Sequence, residues 1–588
     1  MKRFALGLSL ILLAQPLAQS GDPAAAEDAR LERLFKEYLD VELKASPLEA
    51  TKLGDHRFDD LLDDVSPKAR AANKARAQKT LAELPKKIDY KKLSRSGQID
   101  FEIWQHELKK TLWLAENHDP FTTDPRVYNA YISDSVYILL AQSTQPMPTN
   151  IRNAAARMAL IPKIVAAAKE SLKNPPKILT ETAIKQNRGA IAFYESGIYQ
   201  LSGETPQLSD LREACKKLVP VLRDYQNWLE DDLLPRSKGE WRIGKAKFAQ
   251  KLELELDAGI TSEEVLKEAE AEADRVEDEM YVIARQLWSQ AFPKAPLPAD
   301  DIDGRRTTIR RVLAHYSKDT GKVEEIVKDA EATAVKIKEF IKAKDILRLP
   351  QPDRCKFIEM PEFHRGYSIA YLNPAPPLDP KASSYYAIAP PPRDWDKKRV
   401  ASFMEEYNRH MLQILTIHEA YPGHFVQLEY SNRHPSTIRR VFSSGVFAEG
   451  WAVYTEKIML DQGYGEGNLP LRLMQLKWYL RTVCNAILDY KMHCTDISDE
   501  DAIAFLVLRA YQSEAEAILK IIRAKQSSCQ LSTYFVGRMA FHRLWMRTRR
   551  EMGDGFELGR FHEAVLDHGT LPVKYLPELT AERLKKAR

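Results

Sequence analysis

At 588 residues, with 44% hydrophobic and 29% charged side chains, the chain has the make-up of a folded globular protein and not of a disordered or fibrous one. Its 87 basic and 83 acidic residues nearly cancel, and a net charge of +4 over this length argues against a nucleic-acid partner. No basic block carries interleaved aromatics, and Arg547-Thr548-Arg549-Arg550 reads as a solvated helix face.

The N-terminus reads as a secretory signal over residues 1–20. Lys2 and Arg3 form a positive start, Phe4 to Ala14 an apolar run too short to span a bilayer, and Ala18-Gln19-Ser20 a small-residue cleavage site. No other segment is long and apolar enough to cross a membrane. The mature protein is expected to be exported and soluble, periplasmic or secreted. Five cysteines (Cys215, Cys355, Cys484, Cys494, Cys529) form no CxxC pair, which argues against a cysteine zinc site. Export permits disulfides, and Cys484 and Cys494 face each other only if the chain turns between them; buried free thiols are the other reading.

The chain then reads as mostly helical. Leu31, Leu34, Phe35, Tyr38 and Leu39 set a helical period over 27–45, ending near Ser46-Pro47. Residues 149–173 are Ala-rich and amphipathic, and Thr261-Ser262-Glu263-Glu264 fits a capping box opening a helix towards Trp288. A Pro-rich connection over Phe292 to Pro298 precedes a helix at about 321–345. Near Leu349-Pro350 the texture changes: prolines punctuate β-prone runs at Lys356–Glu359, Ser368–Tyr371 and Ser384–Ile388, predicting a small three-stranded sheet. Helices resume at about 395. The division is therefore a helical region 21–349 and a region 350–588 with the sheet and the chemistry. A sheet this small has to pack on helices from both sides, so one large unit with a cleft, mainly α with a small sheet (α+β), is expected.

The chemistry lies in His418-Glu419-Ala420-Tyr421-Pro422-Gly423-His424 and, 25 residues later, Glu449. Val400, Phe403, Met404, Tyr407, Met411, Ile414 and Leu415 form an inward stripe that His418 continues. In a regular H-E-x-x-H the histidines are four apart and share one face. Here they are six apart, which leaves the second ring roughly 120° off the first on a straight helix. Pro422 and Gly423 are the residues that break such a helix and swing His424 back. Glu449 then completes a two-His, one-Glu set for Zn2+ with a position open for water. Glu456, one face-repeat later, is the competing ligand; Glu449 is favoured because Glu449-Gly450-Trp451-Ala452 resembles the Glu-Gly-Phe-Ala context of the third ligand in zinc aminopeptidases. Glu419 takes the part of general base, activating water and passing the proton to the leaving amine.

These residues resemble the domain-of-unknown-function 885 family of exported bacterial proteins, grouped with the zincin peptidases. The resemblance rests on Thr416 to His424 with Gln427, on Glu449 to Tyr454 with Glu456, on Asp489 with His493, and on Phe556 to His562 with Val565-Leu566 and Gly569 to Pro572. It covers nearly the whole mature chain, about 27–580, and implies a mostly helical zincin-like fold of the gluzincin kind and zinc peptidase activity. Many members carry a lipobox Cys that this chain lacks. Members usually have a Pro-Gly-Gln run before a Tyr, where this chain reads Ser528-Cys529-Gln530 before Tyr534.

Tyr534 and His493 are the candidates for stabilising an oxyanion. Asp489 lies one turn before His493 and within hydrogen-bonding reach of it. His562 reads as closing the C-terminal fold. Ser384–Ile388 is a candidate edge strand for an extended peptide, and Arg481 a candidate for a substrate carboxylate or a plain salt bridge. The expected function is zinc-dependent hydrolysis of short peptides. Hydrolysis of a cell-wall or other non-peptide amide, and non-catalytic binding on the same fold, are the alternatives.

Overall fold

The computed structural model describes residues 23–360, 370–392 and 395–586. The expected signal segment lies outside them, as do Ser368 and Ile369 of the expected second strand. The first helix, Pro23–Ala45, buries Leu31, Phe35, Leu39 and Leu43, a four-residue repeat that places one stripe inward. Removing each such side chain from water contributes about 1.5–3 kcal/mol. The Ala-rich segment forms Met147–Ser171. Thr261 and Glu264 cap Ser262–Ala291 reciprocally, as their spacing predicts.

Two cores result. The main one joins Leu31, Phe35, Trp104, Val276 and Ile337 to Ile414, Trp451 and Phe541, so it runs continuously across residue 350. The second gathers side chains between Tyr128 and Leu233, with Val65. The protein is mainly helical with one small sheet. No helix of the described residues is long and apolar enough to cross a membrane.

The sheet has three strands, β1 (Cys355–Glu359), β2 (Ala370–Asn373) and β3 (Ser384–Ile388). Their order is β1-β3-β2, with β1 parallel and β2 antiparallel to β3. This corrects one expectation: Ser384–Ile388 is the central strand, and both its sides are occupied by ladder partners. Its Tyr386, Ala387 and Ile388 are fully buried, which suits a central position. The helix Ile326–Ala343 packs on β1 and the helix Arg409–Glu419 on β2, so helices flank the sheet from before and after it in the chain.

The apolar stripe leading to His418 is also divided differently from its periodicity. It is carried by two helices, Lys397–Glu406 and Arg409–Glu419. Asn408 ends one and starts the next: its Oδ1 accepts from the backbone N–H of His410 and of Met411.

All five cysteines are free thiols. Cys484 and Cys494 lie on one helix, Leu469–Cys494, with no turn between them.

Candidate metal centre

The His418 helix ends at Glu419 and a new helix, His424–Asn432, starts at the second histidine. Between them Ala420 leaves helical geometry, Tyr421-Pro422 is cis, and the Gly423 N–H donates to the Ile417 carbonyl at 3.0 Å. Gly423 is required for a steric reason: a Cβ there would stand 1.9 Å from the His418 carbonyl oxygen. The linker is pinned from two sides. Trp451 Nε1 donates to the Pro422 carbonyl at 2.8 Å, and Tyr421 donates to Asp353 at 2.7 Å. The break brings the His418 and His424 rings to 4.8 Å between centroids, nearly perpendicular.

Glu449 stands on the helix Gly445–Asp461, opened by the Ser444 hydroxyl accepting from Phe447 N–H. This helix lies almost backbone to backbone on Thr533–Met552, where a Cβ on Gly450 would meet Gly537 Cα at 2.4 Å and a Cβ on Gly537 would meet the Val446 carbonyl at 2.0 Å. Glu449 Oε2 is 3.4 Å from His424 Nε2 and 3.7 Å from His418 Nε2. One ligand atom from each of the three residues lies within 4.8 Å of the others. Ligands about 2.0–2.1 Å from a tetrahedral zinc stand roughly 3.3–3.4 Å apart, so two imidazole nitrogens and a carboxylate oxygen at these spacings fit such an ion.

Glu456 settles into a different role from the one its face suggested. Seven residues from Glu449, about 10.5 Å along the helix, it meets the opposite edge of the same imidazole: His418 Nδ1–H donates to Glu456 Oε1 at 2.8 Å. Glu456 is fully buried. It therefore fixes the ring and its tautomer, leaving Nε2 as the electron-pair donor. Burial raises the Glu456 pKa against the pull of His418. Burial alone would lower that of His418, but Glu449 and Glu456 hold it well above the usual imidazole range. Burial also works to raise the Glu449 carboxyl, yet the two histidines keep it far below the ordinary carboxylate range.

Glu419 Oε2 accepts from Leu372 N–H of β2 at 2.9 Å. The strand beside the candidate base is thus the edge strand β2, and the Leu372 amide points out of the sheet towards it.

Residues 47–579 match the family described as "Bacterial protein of unknown function (DUF885)". The chain belongs to this family. Among solved structures, this DUF885 chain is similar to one described as "a putative lipoprotein of unknown function from Shewanella oneidensis", with 30% identity, 94% of this chain and 99% of that chain covered, and a TM-score of 0.79. It shares its fold with a "putative lipoprotein from Colwellia psychrerythraea", with 18% identity, coverage of 95% and 99%, and a TM-score of 0.78. No curated protein matches it.

The remaining candidates separate clearly. Tyr534 is next to the triad: burial and the Glu449 charge raise its pKa, and its oxygen accepts from Arg523 and Gln530 at 3.3 Å each. His493 faces elsewhere and is corrected as a candidate for oxyanion stabilisation. Its Nε2–H is shared by the carbonyls of Ala524 (3.0 Å) and Ser527 (2.8 Å), and its ring stacks on Phe248. Asp489 does not orient it; that carboxylate accepts from Cys529 N–H, Ser532 N–H and the Ser532 hydroxyl. Both side chains secure the turn that delivers Tyr534. In this turn Cys529 is left-handed at φ 69°. His562 Nδ1–H donates to the Ile346 carbonyl while Nε2 accepts from Tyr454, tying the C-terminal region to the Glu449 helix. Arg481 stands 3.4 Å from Glu516.

Proposed function

We propose that this DUF885 protein is an exported zinc-dependent peptidase. The observation that carries the reading is the convergence of His418 Nε2, His424 Nε2 and Glu449 Oε2, with Glu456 fixing the first ring from behind. Export is supported by the two solved neighbours, both called putative lipoproteins. The fold is read as zincin-like because a helix bearing His-Glu, a second histidine and a glutamate on the following long helix build the centre.

A zinc ion held by these three residues would acidify a water molecule and polarise a scissile carbonyl. The chain supplies the rest. Glu419, adjacent to His418, accepts the proton of the attacking water and delivers it to the departing amine. Leu372 N–H orients that carboxylate before substrate arrives. The Tyr534 hydroxyl, whose pKa the Glu449 charge raises, donates to the oxygen that gains charge.

Purified protein is expected to contain one zinc per chain by elemental analysis, and His424→Ala none. Glu419→Gln should keep the metal and lose peptide hydrolysis by roughly 10²–10⁴-fold. Equal zinc in wild type and His424→Ala, or undiminished turnover by Glu419→Gln, removes the reading.

A further inference from the structure

The helix Arg95–Asn117 carries Ile103, His106, Glu107 and Lys110 at i, i+3, i+4 and i+7, one face of a helix. Ile103 is buried, the three polar members are half-buried, and all four line a cavity of about 460 Å³. Glu449 lines the same cavity, with Gly445 at the start of its helix. So do Gln530 and Thr533, from the turn that precedes Tyr534. The space therefore lies between helices of the first half of the chain, where the motifs place no chemistry, and the histidine–glutamate cluster. Its volume falls within the range of small-ligand sites, about 300–1,000 Å³, and is too small for a folded chain.

Most polar groups around this cavity are already spent. Lys110 pairs with Glu107 at 2.7 Å. His106 Nε2–H donates to the Leu254 carbonyl at 2.8 Å. The Lys251 ammonium donates to the carbonyl and hydroxyl oxygens of Ser528 at 2.8 and 3.1 Å, and stands 3.8 Å from Glu255. Asp257 accepts from Lys574 at 2.5 Å. Gln530 accepts from Arg523 and donates to Tyr534, and Thr533 donates to the Gln530 carbonyl. The ionised side chains of the wall opposite Glu449 thus face one another, and what remains on offer is neutral hydrogen bonding.

His118 is the exception in that wall. Its backbone N–H ends the helix by donating to the Leu114 carbonyl at 2.9 Å, and the residue lines the cavity. Among the described residues neither ring nitrogen has a hydrogen-bond or ion-pair partner, and neither is sealed from solvent. Burial, followed by the charge of Lys251, lowers its pKa. The ring is therefore neutral near pH 7 and offers one donor and one acceptor at once. A peptide unit carries the matching groups, one C=O and one N–H.

We propose that this cavity holds the peptide segment beside the scissile bond, and that His118 hydrogen-bonds the main chain of that segment. The proposal rests on the peptidase reading for its substrate. It names short, extended peptides as the substrate class, read by their backbone and not by side-chain charge. Ile103, Phe442 and Pro572 line the same space and supply apolar contact for small side chains.

The test uses the full mature protein with zinc and alanine peptides of two to six residues. In wild type kcat/KM is expected to rise with length by roughly tenfold or more, and to level off once the cavity is filled. His118→Ala should lower turnover of the long peptides by about three- to tenfold, the worth of one neutral hydrogen bond. His118→Gln keeps a donor and an acceptor and should recover part of the loss. Gly445→Phe gives a steric test. A Cβ at Gly445 meets no atom within 4 Å, so a ring there enters the cavity without displacing its own helix, and the length dependence should flatten. This variant decides the matter if His118→Ala does not fold. Calorimetric binding of the same peptides to Glu419→Gln reads the cavity without turnover. If peptides of all lengths are cleaved alike, or His118→Ala keeps the full length dependence, the cavity assignment is wrong and the peptidase stands. If none is cleaved but affinity still grows with length and falls in His118→Ala, the cavity stands and the peptidase reading falls. Affinity independent of length overturns the cavity assignment in either case.

Discussion

His418 and His493 are buried on helices that pack together, each with a carboxylate within reach in sequence or space. His418 spends Nδ1–H on Glu456 and turns Nε2 towards His424 and Glu449. His493 spends Nε2–H on two main-chain carbonyls, and its ring is enclosed by Phe248 and Trp241. The difference separates a buried histidine free to serve as a ligand from a structural one: one nitrogen is anchored by a carboxylate, and the other is aimed at further donors and not at the backbone. A neighbouring carboxylate in the sequence does not decide it, since Asp489 serves the turn after it.

The comparison is sharpened most by His493→Ala. It removes a buried ring and its hydrogen bonds, so a stability loss of about 3 kcal/mol is expected in denaturant melts, with zinc content unchanged. Loss of zinc from this variant would break the contrast. The same ring gives a pH signature. Burial lowers its pKa to about 4. The unfolded chain, near 6.5, therefore binds the proton first. The stability held by the neutral ring is complete above pH 6.5 and is lost as pH falls towards 4, by at most about 3 kcal/mol. His493→Phe should flatten this part of the stability profile; an unchanged slope would show that the ring is accessible to protons in the fold.

Glu456→Gln tests the other member. Loss of the anchoring carboxylate should weaken zinc binding by roughly 10–100-fold in a chelator competition, without removing a ligand. An unaltered affinity would reduce Glu456 to a packing residue. The smallest effect is expected from Cys529→Gly. Relief of a left-handed non-glycine residue, worth about 1 kcal/mol, is offset by loss of a buried thiol, so the melting midpoint should barely move.

Much of this was open to reading in the chain because it is local. The capping box at Thr261, the β3 strand at Ser384–Ile388 and the helix break at Pro422-Gly423 depend on residues within a few positions of each other. The clustering of His418, His424 and Glu449 was legible because the break and the Glu449 helix are adjacent in sequence. What sequence could not supply were choices made across the fold. Strand order is set by which edge meets the Arg409–Glu419 helix, so β3 became central. Glu449 and Glu456 share a face, and only the height of the His418 ring separates ligand from anchor. His493 lost its partner because a turn some 40 residues on offers Asp489 three better donors.

The meeting of Gly450 and Gly537 sets a hard stop for the position of Glu449. With no side chain on either, the two helices rest on their own backbones, and the carboxylate one residue earlier inherits that registry. Even a single methyl at either glycine would wedge the helices apart and carry Glu449 away from both imidazoles. The dimensions of the cluster are thus set partly by two hydrogens, on residues that are not part of it.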